Sequence, residues 1–267
     1  MNIKKLILAI ICTILCTALC IYNAYYINPK QLKVRTETII SSKIDPSLDG
    51  TLIVYFSDLY YEDENRLKLL SDLINNADPD VVVFGGDLLK QNDSDTVIKY
   101  LKSINSHYGK YAVYGENDYK NIDTVNRIYK ESDFEVLCNR GIRIFNENGA
   151  YFNLVGLDSL SNNQNYAAAF DGISNIYYTF VIAHEPDSFD KISYSFDYML
   201  SGHSLGGEVY IPLINVFNRP FGAINYYHGK SGNSNKMLDI TNGVGLKEKS
   251  ARFMADAEIV FYQLRSH

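Results

Sequence analysis

Five short stretches of the sequence place a side chain that can bind a metal directly after an apolar run. They are "FSDLY" with Asp58, "GGDLL" with Asp87, "YGEND" with Glu116 and Asn117, "IAHEP" with His184 and "SGHSLGG" with His203. Carboxylates and imidazoles are ligands that zinc, manganese and iron accept in proteins. A single acid after a strand is usually a turn or helix-cap residue. Five such stretches in order indicate a metal site.

Strands and helices alternate in the first half of the globular part. The stretches "TLIVYFSD", "DVVVFGGD" and "KYAVYGEND" have the apolar composition of strands, and amphipathic helical segments lie between them. This alternation predicts an α/β fold with a parallel sheet covered by helices, and the strand-rich second half predicts a second sheet packed on the first. Because ligands gather outside the carboxyl ends of strands in an open α/β sheet, the five stretches are expected to meet there.

In this order the stretches resemble the motifs of the calcineurin-like metallophosphoesterases, which read D-x-H, G-D, G-N-H-[DE], a lone histidine and G-H-x-H. The resemblance extends from Thr51 to Leu264, and "NLVGLDS", "HEPD", "GHSLGGEVYIP" and "TNGVG" are similar to the membrane-anchored bacterial branch. It implies a four-layer α-β-β-α sandwich of two mixed sheets. It also implies a phosphate-ester hydrolase in which two divalent metals, bridged by a carboxylate and a hydroxide, bind the phosphate while the hydroxide attacks.

Four residues match the motifs of this family. Asp58 matches the acid of D-x-H, a ligand of the first metal, and Asp87 matches the acid that bridges both metals. His184 matches the lone histidine and His203 the first histidine of G-H-x-H, which are both ligands of the second metal.

Four further positions depart from the motifs. Tyr60 and Leu205 stand where the first metal has its two histidines, so these metal positions are degenerate. Glu116 replaces the asparagine ligand of the second metal, and a carboxylate can still coordinate. Asn117 replaces the histidine that protonates the leaving group, and an amide cannot donate a proton in that way, so we expect no catalytic role for it.

These departures predict a single divalent ion, manganese, iron or zinc, held by Asp87, Glu116, His184 and His203. Asp58, Asp87 and Glu116 supply three negative charges against that one ion. The predicted site therefore has an excess of about one negative charge, which would repel a phosphate dianion. Weak phosphoesterase activity is the expected result.

Tyr60 has two interpretations. Purple acid phosphatases, a related group, bind their first metal with a tyrosine phenolate from a G-D-x-x-Y motif, but the matching position here is Lys90. The alternative is a tyrosine that only packs or donates a hydrogen bond, and we favour it.

The N-terminal segment predicts a membrane anchor. Lys4 and Lys5 precede an uncharged run from Leu6 to Tyr26, which is long enough to cross a bilayer as a helix and ends in tyrosines. A cleaved signal peptide is the alternative. The predicted organisation is a cytoplasmic N-terminus at 1–5, a transmembrane signal anchor at 6–26, a linker at 27–50 with a short edge strand, and an extracytoplasmic phosphoesterase domain at 51–267. The expected location is the cell membrane, with a single pass.

Composition restricts the partners. The net charge is −6 with no long basic run, which argues against a nucleic-acid partner. Three of the four cysteines, Cys12, Cys16 and Cys20, lie in the anchor, so Cys138 has no disulfide partner in the globular part.

Two functions fit these residues. The first is a slow, membrane-tethered hydrolase with one metal, acting on phosphate esters such as lipid-linked or sugar-nucleotide compounds. The second is a pseudoenzyme, with or without a metal, that serves as a binding or scaffold module. The intact ligands of the second metal favour the first, whereas Asn117 and Leu205 favour the second.

Overall fold

The computed structural model describes residues 3–61, 63–90, 94–211, 215–216, 219–247 and 251–267. The α-helices are α1 (Ile3–Tyr22), α2 (Glu64–Ala77), α3 (Ser94–Lys102), α4 (Ile122–Glu131) and α5 (Tyr166–Ala169). The strands of the first half are β1 (Lys33–Ser41), β2 (Leu52–Phe56), β3 (Val81–Phe84), β4 (Lys110–Ala112), β5 (Phe134–Val136), β6 (Arg140–Phe145) and β7 (Tyr151–Gly156). Those of the second half are β8 (Thr179–Ile182), β9 (Tyr198–Ser201), β10 (Tyr210–Ile211), β11 (Asn215–Val216), β12 (Gly229–Gly232), β13 (Met237–Ile240) and β14 (Glu258–Ser266).

Two mixed six-stranded sheets form the body of the protein. The first has the strand order β1-β14-β2-β3-β4-β5, and all its neighbours are parallel except β14 and β2. The second has the order β12-β13-β9-β8-β7-β6, with antiparallel pairs only at its two edges. A separate two-stranded ribbon joins β10 to β11.

Apolar side chains fill three layers around these sheets. Between the sheets, Tyr55 and Val83 of the first belong to one cluster with Phe180 and Leu200 of the second. On the outer face of the first sheet, helices α2, α3 and α4 contribute Leu70, Val97, Ile128 and other buried residues to a second cluster. The outer face of the second sheet is covered mainly by α5, a 3-10 turn at Pro186–Asp190 and their loops. The predicted four-layer sandwich of two mixed sheets is confirmed.

Helix α2 shows how the sequence sets an element in this fold. The Asp63 carboxylate accepts a hydrogen bond from the backbone N–H of Arg66, which caps the first turn. Leu67, Leu70 and Ile74 then follow at helical spacing and are buried against the first sheet. The helix therefore starts where a cap is available and packs with one apolar face.

The predicted linker at 27–50 contains a full strand. β1 pairs in parallel with β14 over nine residues, from Lys33 with Glu258 to Ser41 with Ser266, and forms the edge of the first sheet. The sheet thus begins upstream of the predicted domain start at residue 51. Before it, α1 continues through a π-helical and a 3-10 turn to Lys30, and this segment is long and apolar enough to cross a membrane by length and composition.

Candidate metal centre

The carboxyl ends of five strands bring the candidate ligands together. Asp58, Asp87 and Glu116 follow β2, β3 and β4, which are adjacent and parallel in the first sheet. His184 and His203 follow β8 and β9, which are adjacent and parallel in the second sheet. Because both groups of strands end at the same side of the sandwich, acids from one sheet face histidines from the other.

Four ligand atoms converge on one point. One atom from each of Asp87, Glu116, His184 and His203 lies within 4.8 Å of the others. His184 Nε2 is 3.3 Å from Asp87 Oδ2 and 3.2 Å from Glu116 Oε2, and His203 Nδ1 is 3.0 Å from the same Glu116 oxygen. Within the described part of the chain, Glu116 Oε2, His184 Nε2 and His203 Nδ1 are buried with no hydrogen-bond partner of acceptable geometry. Buried nitrogen and oxygen atoms with no such partner, facing each other, fit a bound cation.

The far ring nitrogen of each histidine fixes the orientation of its imidazole. His184 Nδ1 lies 2.7 Å from the carbonyl oxygen of Gly85, and His203 Nε2 lies 2.8 Å from that of Phe221. A carbonyl oxygen accepts only, so each of these nitrogens is the N–H donor. The other nitrogen of each ring then presents its lone pair to the centre, which is the arrangement a metal requires.

The charges of the cluster also favour a cation. Burial opposes protonation of His184, but the carboxylates of Asp87 and Asp58 raise its pKa well above the usual histidine range. Burial likewise opposes ionisation of Glu116, but the two histidines hold the pKa of that carboxyl well below its usual range. The negative charges that act on His184 would equally attract a divalent ion.

Asp58 lies beside the four ligands rather than among them. Its Oδ1 atom is 3.9 Å from His184 Nε2 and is fully buried, with no hydrogen-bond partner in the described ranges. Its Oδ2 atom accepts hydrogen bonds from the Ser57 hydroxyl and from the backbone N–H of His203, the latter at 2.9 Å. Asp58 thus connects its own loop to the loop of His203 through Oδ2.

Tyr60 fills its degenerate position as a hydrogen-bond donor. Its phenol hydroxyl donates to Asp87 Oδ2, and the ring is 3% exposed. Burial and the neighbouring charges of Asp87 and Asp58 raise the pKa of the phenol well above its usual range, in keeping with its role as a hydrogen-bond donor. The favoured interpretation of a hydrogen-bonded tyrosine agrees with these contacts.

Leu205 fills the other degenerate position with an apolar side chain. It is 3% exposed, and a Cβ placed on Gly243 would lie 2.8 Å from its Cδ2 atom and 2.7 Å from the Cβ of Asp58. The leucine therefore packs beside Asp58 where the family motif has an imidazole. Asp58 and Asp87 are left as the ligands of the first-metal pattern.

Asn117 positions the acids. Its backbone N–H donates to Asp87 Oδ1 at 2.9 Å, and its side-chain amide lies 2.7 Å from Asp87 Oδ2 and 2.8 Å from Glu116 Oε1. Buried Asp118, next in the chain, accepts the backbone N–H groups of Asp87, Leu88 and Gly115. The "YGEND" stretch thus fixes two candidate ligands although it lacks the histidine that protonates the leaving group in the family.

The ligand loops are tightly built. Asp58, Asp87 and His203 have φ angles of 54°, 60° and 68°, in the left-handed region that non-glycine residues rarely adopt. A Cβ on Gly115 would lie 2.3 Å from Asp87 Oδ1 and 2.8 Å from His184 Nε2. The backbone at 115 therefore approaches the centre as closely as only glycine allows.

The structure adds one residue that the sequence did not reveal. Lys247 Nζ donates to Glu116 Oε1 at 2.8 Å and lies 5.8 Å from the centre of the Tyr60 ring. Its ammonium charge brings the formal sum of Asp58, Asp87, Glu116, Lys247 and one divalent ion to zero, where the sequence predicted an excess of negative charge. Lys247 lies outside the motifs, in "GVGLKEKS", and nothing in that stretch marks it as a site residue.

Comparisons with known proteins identify the family of the chain. The model of the calcineurin-like phosphoesterase family matches residues 51–207. An uncharacterized metallophosphoesterase of Bacillus subtilis, YkuE, is 29% identical over 257 residues, 91% of this chain and 89% of that protein. The phosphodiesterase YaeI of Escherichia coli is 27% identical over 207 residues (72% of this chain, 74% of YaeI), and a transmembrane protein with metallophosphoesterase domain of Bos taurus is 24% identical over 200 residues (66% and 45%). The chain belongs to the calcineurin-like phosphoesterase family.

Proposed function

We propose that this protein hydrolyses phosphate esters with a single divalent metal held by Asp87, Glu116, His184 and His203. Membership of the family implies a phosphoesterase-type hydrolase that uses divalent metal ions. The observation that carries the single-metal proposal is the convergence of these four donors within 4.8 Å. Two imidazoles and two carboxylates suit manganese, iron or zinc.

A bound divalent ion would supply Lewis-acid chemistry and lower the pKa of a coordinated water. The protein's own residues prepare the site for it. The carbonyl groups of Gly85 and Phe221 hold the two imidazoles in position. Tyr60 and Asn117 hold Asp87 by hydrogen bonds, so the acid does not have to reorganise when substrate binds. Asn117 cannot protonate a leaving group, so the site favours esters whose leaving group departs without being protonated.

We also propose that α1 anchors the protein in the cell membrane by a single pass, with the phosphoesterase domain outside the cytoplasm. Helix α1 is apolar, and its large side chains are exposed in the part of the chain that the structure describes. The relative from Bos taurus is named as a transmembrane protein, which supports the proposal. A site held near a bilayer suits lipid-linked or sugar-nucleotide phosphate esters. Extraction of membranes with carbonate is the test, because an anchored chain stays in the pellet.

The test of the activity is an assay of the full-length protein in detergent. Bis(p-nitrophenyl) phosphate comes first, because YaeI is named a phosphodiesterase, and p-nitrophenyl phosphate second. Each is tried with manganese, ferrous iron and zinc. We expect slow turnover that depends on the metal and is lost in His203→Ala. Equal rates for wild type and His203→Ala would contradict the proposal.

A pseudoenzyme is the second candidate, favoured by Asn117 and by the apolar contact of Leu205 beside Asp58. The combined variant Tyr60→His, Glu116→Asn, Asn117→His and Leu205→His separates the two. If the wild type is silent and the variant turns over diester, the lost side chains had silenced the site. If neither is active, these four positions do not explain the silence.

A further inference from the structure

We propose that Lys247 takes the place of the missing first metal ion and binds the phosphate group of the substrate beside the single metal. This inference rests on the proposed function, because it names the second cation of that same site. It assigns a phosphate-binding role to a residue outside the family motifs.

The first argument is the location of the ammonium group. Lys247 Nζ is 2.8 Å from Glu116 Oε1, and the other oxygen of Glu116 points at His184 and His203. The ammonium therefore lies one carboxylate away from the metal ligands. It also lies 5.8 Å from the ring centre of Tyr60, the residue that replaced a first-metal histidine. The cation thus faces the side of the centre that lost its metal ligands.

The second argument is that the chain holds Lys247 in this place. The preceding backbone runs along the Asp58 loop, because the N–H of Val244 donates to the carbonyl of Ser57 at 3.0 Å and that of Gly245 donates to the carbonyl of Asp58 at 2.7 Å. A Cβ on Gly245 would lie 2.0 Å from the carbonyl oxygen of Leu59, so the two strands of backbone are in close contact. The lysine that follows is fixed relative to the ligand loops.

The third argument is the balance of exposure and charge. The Lys247 ammonium contacts Glu116, and its side chain is 28% exposed. The lysine therefore also borders solvent, from which a ligand would come. The charges of Asp58, Asp87 and Glu116 leave a site with one divalent ion negative, and Lys247 restores neutrality. An ammonium provides a point charge with several donors, which is how lysine binds phosphate elsewhere.

A purely structural role would make a different prediction. If Lys247 only held Glu116 in place, its removal would loosen a metal ligand and weaken metal binding. If it serves as a second cation, its removal leaves the metal ligands more negative. Metal binding is then kept or tightened, and phosphate binding is lost. The two roles therefore differ in the sign of the change in metal affinity.

The experiment compares wild type with Lys247→Met, Lys247→Arg and Lys102→Met, all as full-length protein in detergent. Lys102 is an exposed lysine at the end of α3, away from the centre, and serves as the charge control. Isothermal titration gives the stoichiometry and affinity for Mn²⁺, and then the affinity of the Mn²⁺-loaded protein for inorganic phosphate.

We expect Lys247→Met to bind one Mn²⁺ at least as tightly as wild type and to bind phosphate at least tenfold more weakly. Lys247→Arg keeps the charge and should recover most of the phosphate affinity, and Lys102→Met should match wild type in both. Unchanged phosphate affinity in Lys247→Met would overturn the proposal, and so would a parallel loss of Mn²⁺ affinity. If Lys247→Met does not fold, Lys247→Arg is compared with His203→Ala instead. The proposal is overturned if Lys247→Arg binds phosphate no more tightly than His203→Ala does.

The result is separable from the proposed function. Phosphate binding that depends on Lys247 without turnover of either ester supports this inference and refutes the hydrolase. Ester turnover that is indifferent to Lys247→Met supports the hydrolase and refutes this inference.

Discussion

At the scale of single residues, Asp87 is the centre of the site. It receives the Tyr60 hydroxyl, the backbone and side-chain N–H groups of Asn117, and the approach of His184 Nε2 at 3.3 Å. In the family pattern this acid bridges two metals. Here Tyr60, which stands where the first metal has one of its histidines, donates its hydroxyl to Asp87 instead, and the amide of Asn117 donates to the same carboxylate from the position of the family's proton donor. One side of a two-metal centre has thus been replaced by hydrogen bonds.

Restoring the two lost imidazoles is expected to restore a second metal ion. The variant Tyr60→His with Leu205→His supplies two nitrogen ligands beside Asp58 and Asp87, which gives a four-ligand set. We expect elemental analysis to find two ions per chain in this variant and one in wild type. Leu205→His alone is the matched control and should stay near one ion. A ratio near one ion per chain in the double variant would contradict this expectation. It would indicate that Lys247 or the residues around position 60 exclude the second ion.

Cys138 should react slowly until the pH is high. Cys138 is exposed, but partial desolvation of its thiol and the neighbouring charge of Asp158 raise the pKa of the thiol to about 11. The thiolate is the reactive form, so at pH 8 alkylation is expected to be about two hundredfold slower than for a free thiol with a pKa of about 8.5, and to accelerate up to pH 11. Iodoacetamide labelling followed by mass spectrometry measures it, in a chain whose Cys12, Cys16 and Cys20 are changed to Ser. Asp158→Asn removes the charge and should speed the reaction at pH 8. Equal rates in both chains would contradict the assigned cause.

The residue scale also shows what sequence can predict. Asp58, Asp87, Glu116, His184 and His203 were identifiable because each follows an apolar strand and the strand order fixes where they meet. The contact between Lys247 and Glu116 joins positions that are 131 residues apart through a loop without a motif. Such a contact depends on how the loop packs, which local pattern does not encode.

At the scale of elements, one buried guanidinium connects the segment that follows α1 with the loop of Lys247. Arg252 is fully buried and donates to the carbonyl groups of Asn242, Gly243, Gly245 and Ala255. Its backbone N–H donates to Ala24 at 2.9 Å, just after α1. Arg252 therefore connects the loop that carries Lys247 to the segment that follows α1.

Arg252→Met is expected to destabilise the protein strongly. The substitution leaves several buried carbonyl groups without donors, and each such group costs about 1–3 kcal/mol. We expect a loss of about 3 kcal/mol or more in the free energy of unfolding, measured by urea denaturation in detergent. Arg252→Lys keeps a donor and should lose less, whereas Arg265→Met, at an exposed pair with Asp49, should lose under about 1 kcal/mol. A small effect of Arg252→Met would mean that water replaces its hydrogen bonds.

Elements were predictable to the extent that their partners are near in sequence. The alternating pattern from residue 51 correctly predicted β2, α2, β3, α3 and β4, and the consecutive strands β2, β3 and β4 are neighbours in the first sheet. β1 was expected as a short edge strand within a linker, because "KVRTET" alternates polar residues and has little apolar surface. Its length of nine residues comes from pairing with β14, which lies more than 200 residues away.

At the scale of the whole molecule, the candidate metal would join the two sheets. Asp87 and Glu116 come from the first sheet, and His184 and His203 come from the second. Around the centre the two sheets meet through acids that face histidines, and several of these buried polar atoms have no hydrogen-bond partner among the described residues. The interface between the sheets should therefore be weakest at this end when no cation is present.

Divalent metal is accordingly expected to stabilise the entire fold rather than one loop. A ligand that binds only the native state adds about 2.7 kcal/mol at a hundred times its dissociation constant, which for a domain of this size raises Tm by about 5–10 °C. Differential scanning fluorimetry of full-length protein, with EDTA and then with excess Mn²⁺, measures this. His203→Ala removes a ligand from the second sheet and should abolish the rise, whereas Lys102→Met should keep it. Because the four ligands are divided between the sheets, a rise that persists undiminished in His203→Ala would mean that His203 does not hold the ion, and the four-ligand centre would be wrong.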